Sequence, residues 1–256
     1  MDSDTRIFVI NLKTSLSRKE LLQKRLAELN LKAEFIEAVN GSALSESEVR
    51  EHTQPLNYAY LPGEIGCALS HQLIYKRMVA ENISKALILE DDVHLPDNVA
   101  EILSRLVMVP HSAEVTLLSR VNKYSHQNVQ PVGSGYKLHP VHQATTAHAY
   151  LITKQAAENL LQALYPVWMV SDKWSLFQDY GWINVKAVIP APVTLCPASS
   201  ESTINSRKGC VEIADKKRAL WNALMKQRPL KVKLKSRLRR ALVPLIYGVT
   251  DQKKGP

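Results

Sequence analysis

The stretch KALILEDDVHLP at residues 85–96 limits the possible folds more than any other part of the chain. Its apolar residues 86–89 run without a break into Glu90, Asp91 and Asp92. Unbroken apolar character suits a strand buried on both faces, as in a parallel sheet, and the acids then mark where that strand emerges at its C-terminal edge. A sheet of this kind needs helices between its strands, and the flanking sequence supplies the alternation.

RIFVINL at 6–12 reads as a strand, and SLSRKELLQKRLAELN places Leu22, Leu26 and Leu29 at helical spacing, with Ser15 or Ser17 as N-cap and Asn30 as stop. KAEFIEAV is a second strand ended by Asn40-Gly41, and Ser45 is placed to cap a short helix through Glu48. A loop is expected at 52–62, then a helix at 64–81, the acid-tipped strand, a helix around 97–108 and the strand EVTLLSR. Residues 122–143, rich in Asn, His, Gly and Pro, read as loop and short hairpin. AHAYLITKQAAENLLQAL reads as strand then helix, followed by the aromatic segment VWMVSDKWSLFQDYGWINV and a Pro-punctuated strand AVIPAPVTLC.

At 256 residues, 45% hydrophobic and 22% charged, the chain can bury a sizeable core, which excludes disordered and collagen-like classes. Its net charge of +9 is unevenly spread: residues 207–256 carry 15 Lys and Arg against 3 acids, so residues 1–206 are mildly acidic. We therefore expect an α/β domain over 1–206 and a basic helical extension over 207–256. Cys67, Cys196 and Cys210 are too few and too scattered for a disulfide framework or a CxxC metal site. The N-terminal residues lack the bases and apolar run of a secretory signal, so a cytoplasmic location is expected.

Adjacent side chains of an extended strand point to opposite faces, so Glu90 and Asp92 share one face and Asp91 takes the other. Two carboxylates on one side of a strand end can hold Mg²⁺ or Mn²⁺, ions that complete their shells with water and substrate phosphates. The ligand implied is a nucleotide or nucleotide-sugar diphosphate. Three acids alone would more readily form a solvated loop or a helix cap. The strand leading into them shifts the balance, because ligands of open α/β sheets lie at the carboxyl ends of strands.

VINLKTSLSR at 9–18, AVNG at 38–41, PGEIGCALSH at 62–71 and ALILEDDV at 86–93, followed by AHAYLIT at 147–153 and SDKW at 171–174, resemble glycosyltransferase family 25 in order and spacing. The resemblance covers roughly residues 6–200 and leaves the basic tail outside. It implies a GT-A-type, Rossmann-like α/β domain that transfers a hexose with inversion from a UDP-sugar, galactose more commonly than glucose, to bacterial lipooligosaccharide. It places Glu90, Asp91 and Asp92 in the acidic motif, with Asp92 and Glu90 at the metal. Asn11 and Arg18 fall on the first-strand motif near the nucleotide, Gly66 and His71 fall on the EIGC…SH block as further nucleotide-binding positions, and Glu64 falls on the same block.

In such a transfer a metal stabilises charge on the departing diphosphate, and a carboxylate or His must accept the proton of the acceptor hydroxyl. Asp172 is the first candidate for that base; Asp179 and Glu64 are alternatives that spacing cannot separate. His71 also reads as a packed structural residue, and Cys67 as a small buried hydrophobe. Gly63 and Gly66 make no phosphate loop, since neither GxGxxG nor GxxxxGK[ST] is present. Trp168, Trp174, Tyr180 and Trp182 fit a sugar-stacking wall or core equally well.

The tail PLKVKLKSRLRRALVPLIYG lines up Leu234, Leu238, Ala241 or Leu242, and Leu245 on one helical face, with Pro244 able to kink or end the helix. It reads either as an interfacial helix on an anionic inner leaflet or as a helix packed on the body by its Leu face. Two other functions compete with hexosyl transfer. Nucleotidyl or phosphoryl transfer also uses carboxylates and Mg²⁺, but residues 1–206 lack a phosphate-gripping motif. A nucleic-acid-binding module driven by the tail would need stacking aromatics among its bases and would suffer repulsion from the acidic body, so no nucleic acid is expected as partner.

Overall fold

The structure, a computed structural model, describes residues 5–109, 111–196 and 210–252. The expected boundary between body and tail at 206/207 and the side chain of Cys210 lie outside the described residues. The chain opens with β1 (Thr5–Asn11), α1 (Leu16–Glu28), β2 (Glu34–Glu37), a 3-10 turn at Gly41–Ala43, α2 (Glu46–His52) and α3 (Pro62–Ala80). There follow β3 (Lys85–Glu90), β4 (Val93–His94), α4 (Val99–Arg105) and β5 (Glu114–Leu117). Next come β6 (Lys123–Ser125), β7 (Gln130–Gly133), β8 (Tyr136–Gln143), β9 (Ala149–Thr153), α5 (Lys154–Leu164) and α6 (Trp174–Tyr180). The last elements are β10 (Asn184–Ile189), β11 (Thr194–Leu195), α7 (Cys210–Gln227), α8 (Leu230–Tyr247) and β12 (Val249–Asp251).

One mixed sheet runs in the order β12-β6-β8-β10-β5-β9-β3-β1-β2, with β7 on β8. β2, β1 and β3 are parallel, while β9 lies antiparallel between β3 and β5. Side-chain alternation divides the core in two. Ile7, Val9, Leu87 and Leu89 face α1 and α4, where they meet Leu22, Leu26 and Ile102. Phe8, Ile10, Ala86 and Ile88 face α3, α5 and α6, where they meet Ile74, Met78, Leu160 and Phe177. Burial on both faces is why β3 carries an unbroken apolar run, at about 1.5–3 kcal/mol for each large side chain buried. The Rossmann-like α/β class expected of a GT-A-type domain is the class observed.

Several local expectations hold in detail. Ser45 and Glu48 form a capping box on α2. Asn30 adopts a left-handed φ of 53° just past α1, the conformation that stops a helix. Ser15 occupies the N-cap of α1 but makes no side-chain cap bond.

Residues 122–143 differ from the loop and short hairpin expected. They form three strands, and β8 alone has eight residues, because it pairs with β10 on one side and with β6 and β7 on the other. The aromatic segment contains α6, which ends at Gly181 in the left-handed region (φ 82°). The expected strand through AVIPAPVTLC stops at Ile189, since Pro190 has no N–H to continue the ladder.

Helix α8 runs through Pro244 rather than ending there. It packs on the body, although not by its Leu face. Val232 and Ser236 are buried, Lys235 Nζ donates to the Gln178 carbonyl at 2.9 Å, and Arg239 reaches Asp179. Leu234, Leu238, Leu242 and Leu245 remain exposed. β12 then adds a strand to β6.

Candidate functional site

The alternation that splits the core also sorts the acids at the end of β3. Asp91 continues the Leu87 and Leu89 face toward α1. There Asn11, the last residue of β1, donates Nδ2 to Asp91 Oδ2 at 2.7 Å, and Arg18 Nη1 lies 3.4 Å from Asp91 Oδ1. Glu90 continues the Ala86 and Ile88 face toward α3 and meets His71, whose Nε2 is 3.7 Å from Glu90 Oε1. The two faces of one strand end thus serve two groups of partners.

The antiparallel strand β9 brings a third partner. Its register pairs Leu89 with Ala149, so His148 falls opposite Glu90. Glu90 N donates to the His148 carbonyl at 2.8 Å, and His148 Nδ1 is 3.0 Å from Glu90 Oε2 and 3.9 Å from Asp92 Oδ1. Ligand atoms of Glu90, Asp92 and His148 all lie within 4.8 Å of one another. Burial would raise the pKa of Glu90, but the hydrogen bond from His148 and the nearby His71 imidazole outweigh it and hold this carboxyl well below the usual range. In return Glu90 and Asp92 raise His148 against the lowering effect of its own burial.

Asp92 differs from Glu90. Burial, then the negative charge of Glu90, raises its pKa, and its buried Oδ1 makes no hydrogen bond. An orphaned carboxylate oxygen beside a second carboxylate and an imidazole is a donor set that suits a divalent cation. The residues present therefore fit the metal that the acidic motif implies.

Asp172, on the turn before α6, is close enough for the charge of Glu90 to act on it. Burial mainly, and Glu90 in addition, raise its pKa against the opposing pull of Lys173. Its Oδ1 is buried without a hydrogen bond, with Lys173 Nζ 3.7 Å away. The two other base candidates are engaged elsewhere. Glu64 binds Lys217 of α7 at 2.5 Å and also accepts from Leu61 N at the start of α3. Asp179, only 2% exposed, is held by Arg239 Nε at 2.8 Å and Nη2 at 3.3 Å.

Gly66 serves the backbone. A Cβ there would lie 2.4 Å from the Val39 carbonyl oxygen and 2.7 Å from Gly41 N, and a Cβ on Gly41 would lie 1.8 Å from the Pro62 carbonyl oxygen. Ser70 Oγ completes the junction, donating to the Gly66 carbonyl and accepting from Val39 N at 2.8 Å. The AVNG and PGEIGCALSH motifs are thus two sides of one close contact that seats α3. Seated this way, α3 presents His71 to the cluster, where its Nδ1 is 2.7 Å from the Tyr150 hydroxyl and that hydroxyl 2.7 Å from the Tyr75 hydroxyl.

His71 is therefore both packed and directed at Glu90, which joins two readings the sequence held apart. Burial first, then Glu90, pushes the Cys67 thiol well up, which disfavours the thiolate. The aromatic stretch is core. Trp174 is fully buried and donates to the Thr146 carbonyl, Trp168 is nearly so, and Tyr180 stacks on Trp182 with centroids 4.3 Å apart. His148 is the candidate site residue that sequence reasoning missed. Its signal was present in AHAYLIT, directly before a strand, but only the pairing of β9 with β3 shows that it faces Glu90.

Known proteins bear on this geometry. A family model described as Glycosyltransferase family 25 (LPS biosynthesis protein) matches residues 4–175, a span that holds every residue of the carboxylate cluster and Asp172 but not Asp179 or the tail. Human procollagen galactosyltransferase 2 is 32% identical over 114 residues, covering 40% of this chain and 18% of that protein. A mouse relative named inactive glycosyltransferase 25 family member 3 is 30% identical over 110 residues, covering 40% of this chain and 19% of that protein. The chain thus aligns with less than a fifth of the length of these relatives. Among solved structures, a glycosyltransferase involved in glycosylation of the major capsid of PBCV-1 covers 62% of this chain and 64% of its own at 14% identity, with a TM-score of 0.35. The order of the motifs, the cluster they build and a family match over most of the body lead to one assignment: the chain belongs to glycosyltransferase family 25.

Proposed function

We propose that this protein is an inverting, metal-dependent hexosyltransferase that moves galactose, or glucose, from a UDP-sugar to lipooligosaccharide. The observation that carries this reading is the convergence of Glu90, Asp92 and His148 on one ligand-sized space with Asp92 Oδ1 unpartnered. The family description as an LPS biosynthesis protein supports the acceptor class, and the galactosyltransferase relative supports the sugar.

Asp92 and Glu90, with His148, would hold Mn²⁺ or Mg²⁺. When bound, the ion neutralises charge building on the diphosphate leaving group. The chain's residues do the rest. Asn11 and Arg18 fix Asp91 on the opposite face of the strand and so hold the acidic motif in register. His71, locked by Tyr150, and His148 keep Glu90 ionised and oriented. Asp172 would accept the acceptor hydroxyl proton that inversion requires to be removed, a role that falls to it because Glu64 and Asp179 are committed to Lys217 and Arg239.

The tail extends the proposal to location. Among the described residues, no helix is long and apolar enough to cross a membrane. The exposed Leu stripe of α8, flanked by Lys and Arg, suits shallow insertion into an anionic inner leaflet, where a lipid-linked acceptor would lie. On this reading the enzyme works in the cytoplasm, peripheral to the bacterial inner membrane. The direct test is transfer from UDP-galactose and UDP-glucose to purified lipooligosaccharide, followed by product mass. Asp172→Asn is expected to lower the rate by at least about 100-fold without weakening UDP binding. Transfer undiminished in that variant removes Asp172 as base, and no transfer by the wild-type chain with any UDP-hexose overturns the activity.

A further inference from the structure

Beside the carboxylate cluster opens a cavity of about 840 Å³ that none of the steps above uses. One wall is the segment after β8 together with α6, and the other is α7 and α8. Seven of its lining side chains are cationic and one, Asp179, is acidic. Five of the cations have an acid within reach: Lys217 has Glu64, Arg239 has Asp179, Lys123 has Asp251, Arg218 has Asp215 and Lys173 has Asp172. Arg228 and Arg240 have none among the described residues.

Arg228 Nε makes a long bond of 3.4 Å to the Met225 carbonyl, and its Nη1 is buried with no hydrogen bond at all. His142, on the same cavity, also has a buried Nδ1 with no partner. Its basicity is lowered first by burial and then by Arg239, Lys123 and Arg240 around it, against the opposing charge of Asp179. Gathering so many cations leaves mutual repulsion and unsatisfied donors that an anion would relieve. Guanidinium groups match the oxygens of a phosphate in a two-pronged geometry. Tyr58 and Trp221, edge to face at 5.5 Å, line the same space and offer apolar surface of the kind on which a sugar ring rests.

We propose that this cavity binds a phosphate-bearing saccharide unit of the acceptor, with Arg228 and Arg240 on the phosphate and Trp221 and Tyr58 against the sugar. The proposal rests on the transferase reading for the word acceptor. Lys173 lines the cavity and follows Asp172 directly, so the cavity adjoins the residue proposed as base. The tail would then help to select a phosphorylated substrate as well as bring the enzyme to a surface.

The test is calorimetric titration of the full chain, at fixed ionic strength, with glucose 6-phosphate, glucose, inorganic phosphate and UDP with Mn²⁺. We expect glucose 6-phosphate to bind at least tenfold more tightly than glucose, inorganic phosphate to compete with it, and UDP not to displace it. Arg228→Gln and Arg240→Gln are each expected to weaken glucose 6-phosphate at least threefold and leave UDP unchanged. Arg240 is exposed, so its variant keeps the test open if Arg228→Gln fails to fold. Equal binding of glucose and glucose 6-phosphate, or no change in Arg240→Gln, overturns the proposal. Displacement by UDP, with loss of UDP binding in the variants, overturns it as well and gives the cavity to the donor diphosphate. Failure of UDP to bind while the phosphosugar still does would count against the transferase reading instead.

Discussion

The carboxylate cluster and the basic cavity are neighbours built by opposite means. Glu90, Asp91 and Asp92 ride on the end of a central strand, and their partners come from adjacent strands and a helix seated by glycine contacts. Lys217, Arg239 and Arg240 reach into the cavity as long side chains from two C-terminal helices, and Arg228 from the turn between them; Leu224 and Val232 pack these helices on the body, and ion pairs to Glu64 and Asp179 fasten them further. Backbone register fixes the first site. The second is shaped by flexible side chains and their charged contacts, so it should be the easier to dismantle and the easier for evolution to retune.

The largest effect should come from breaking the fastening of α8. Arg239→Met leaves Asp179 as an unpaired buried carboxylate, which is expected to destabilise the protein by about 3–5 kcal/mol. Urea unfolding measures that loss. If the two regions are as separate as described, Mn²⁺-dependent UDP binding survives in the folded fraction of this variant; its loss would show that the tail supports the metal site.

Next in size is Gly66→Ala. The added Cβ meets the Val39 carbonyl and Gly41 N, so the helix must shift, at an expected cost of about 1–3 kcal/mol. Because α3 carries His71, UDP affinity should fall with stability. A variant as stable as wild type would contradict the close contact.

Asp92→Asn sharpens the comparison with smaller changes of opposite sign. The raised pKa of Asp92 means that the folded state binds its proton more tightly than the unfolded state does. Its contribution is favourable below the unfolded pKa and is lost as pH rises through the folded value, so ionised Asp92 works against folding at neutral pH. In EDTA at pH 7 the variant should therefore melt above wild type. With Mn²⁺ at about 100 times its Kd, wild type should gain about 2.7 kcal/mol and the variant nothing. The same sign holds for Asp172→Asn, which should melt slightly higher at pH 7 and equal to wild type under acid conditions.

The smallest stability effect is expected on the outer surface of α8. Leu238→Glu with Leu245→Glu should change unfolding by less than about 0.5 kcal/mol, yet reduce sedimentation with phosphatidylglycerol vesicles. Unchanged sedimentation would remove the membrane role of the Leu stripe.

What could be read in the sequence follows the same divide. β1 and β3 were legible because burial on both faces demands apolar residues at every position, and Glu90, Asp91 and Asp92 were legible because that run stops at them. His148 was not, since nothing in AHAYLIT says which strand it will pair with, and antiparallel insertion between β3 and β5 is a property of the whole sheet. β6, β7 and β8 were hidden by their polar, turn-rich composition, although long-range pairing makes them strands. The side on which α8 docks was hidden as well. Hydrophobic periodicity pointed to the Leu face, and one buried ion pair to Asp179, which no pattern announces, turned the opposite face inward.

The central claim is that Glu90, Asp92 and His148 hold a divalent ion that receives the diphosphate of a sugar nucleotide. Calorimetric titration of UDP-galactose, UDP-glucose and free UDP, each with Mn²⁺ and with EDTA, tests it on wild type and on Asp92→Asn. The account predicts binding by wild type that requires Mn²⁺ and favours one sugar, and at least about tenfold weaker binding by the variant. Equal binding in Mn²⁺ and EDTA, or full metal-dependent binding by Asp92→Asn, would contradict it.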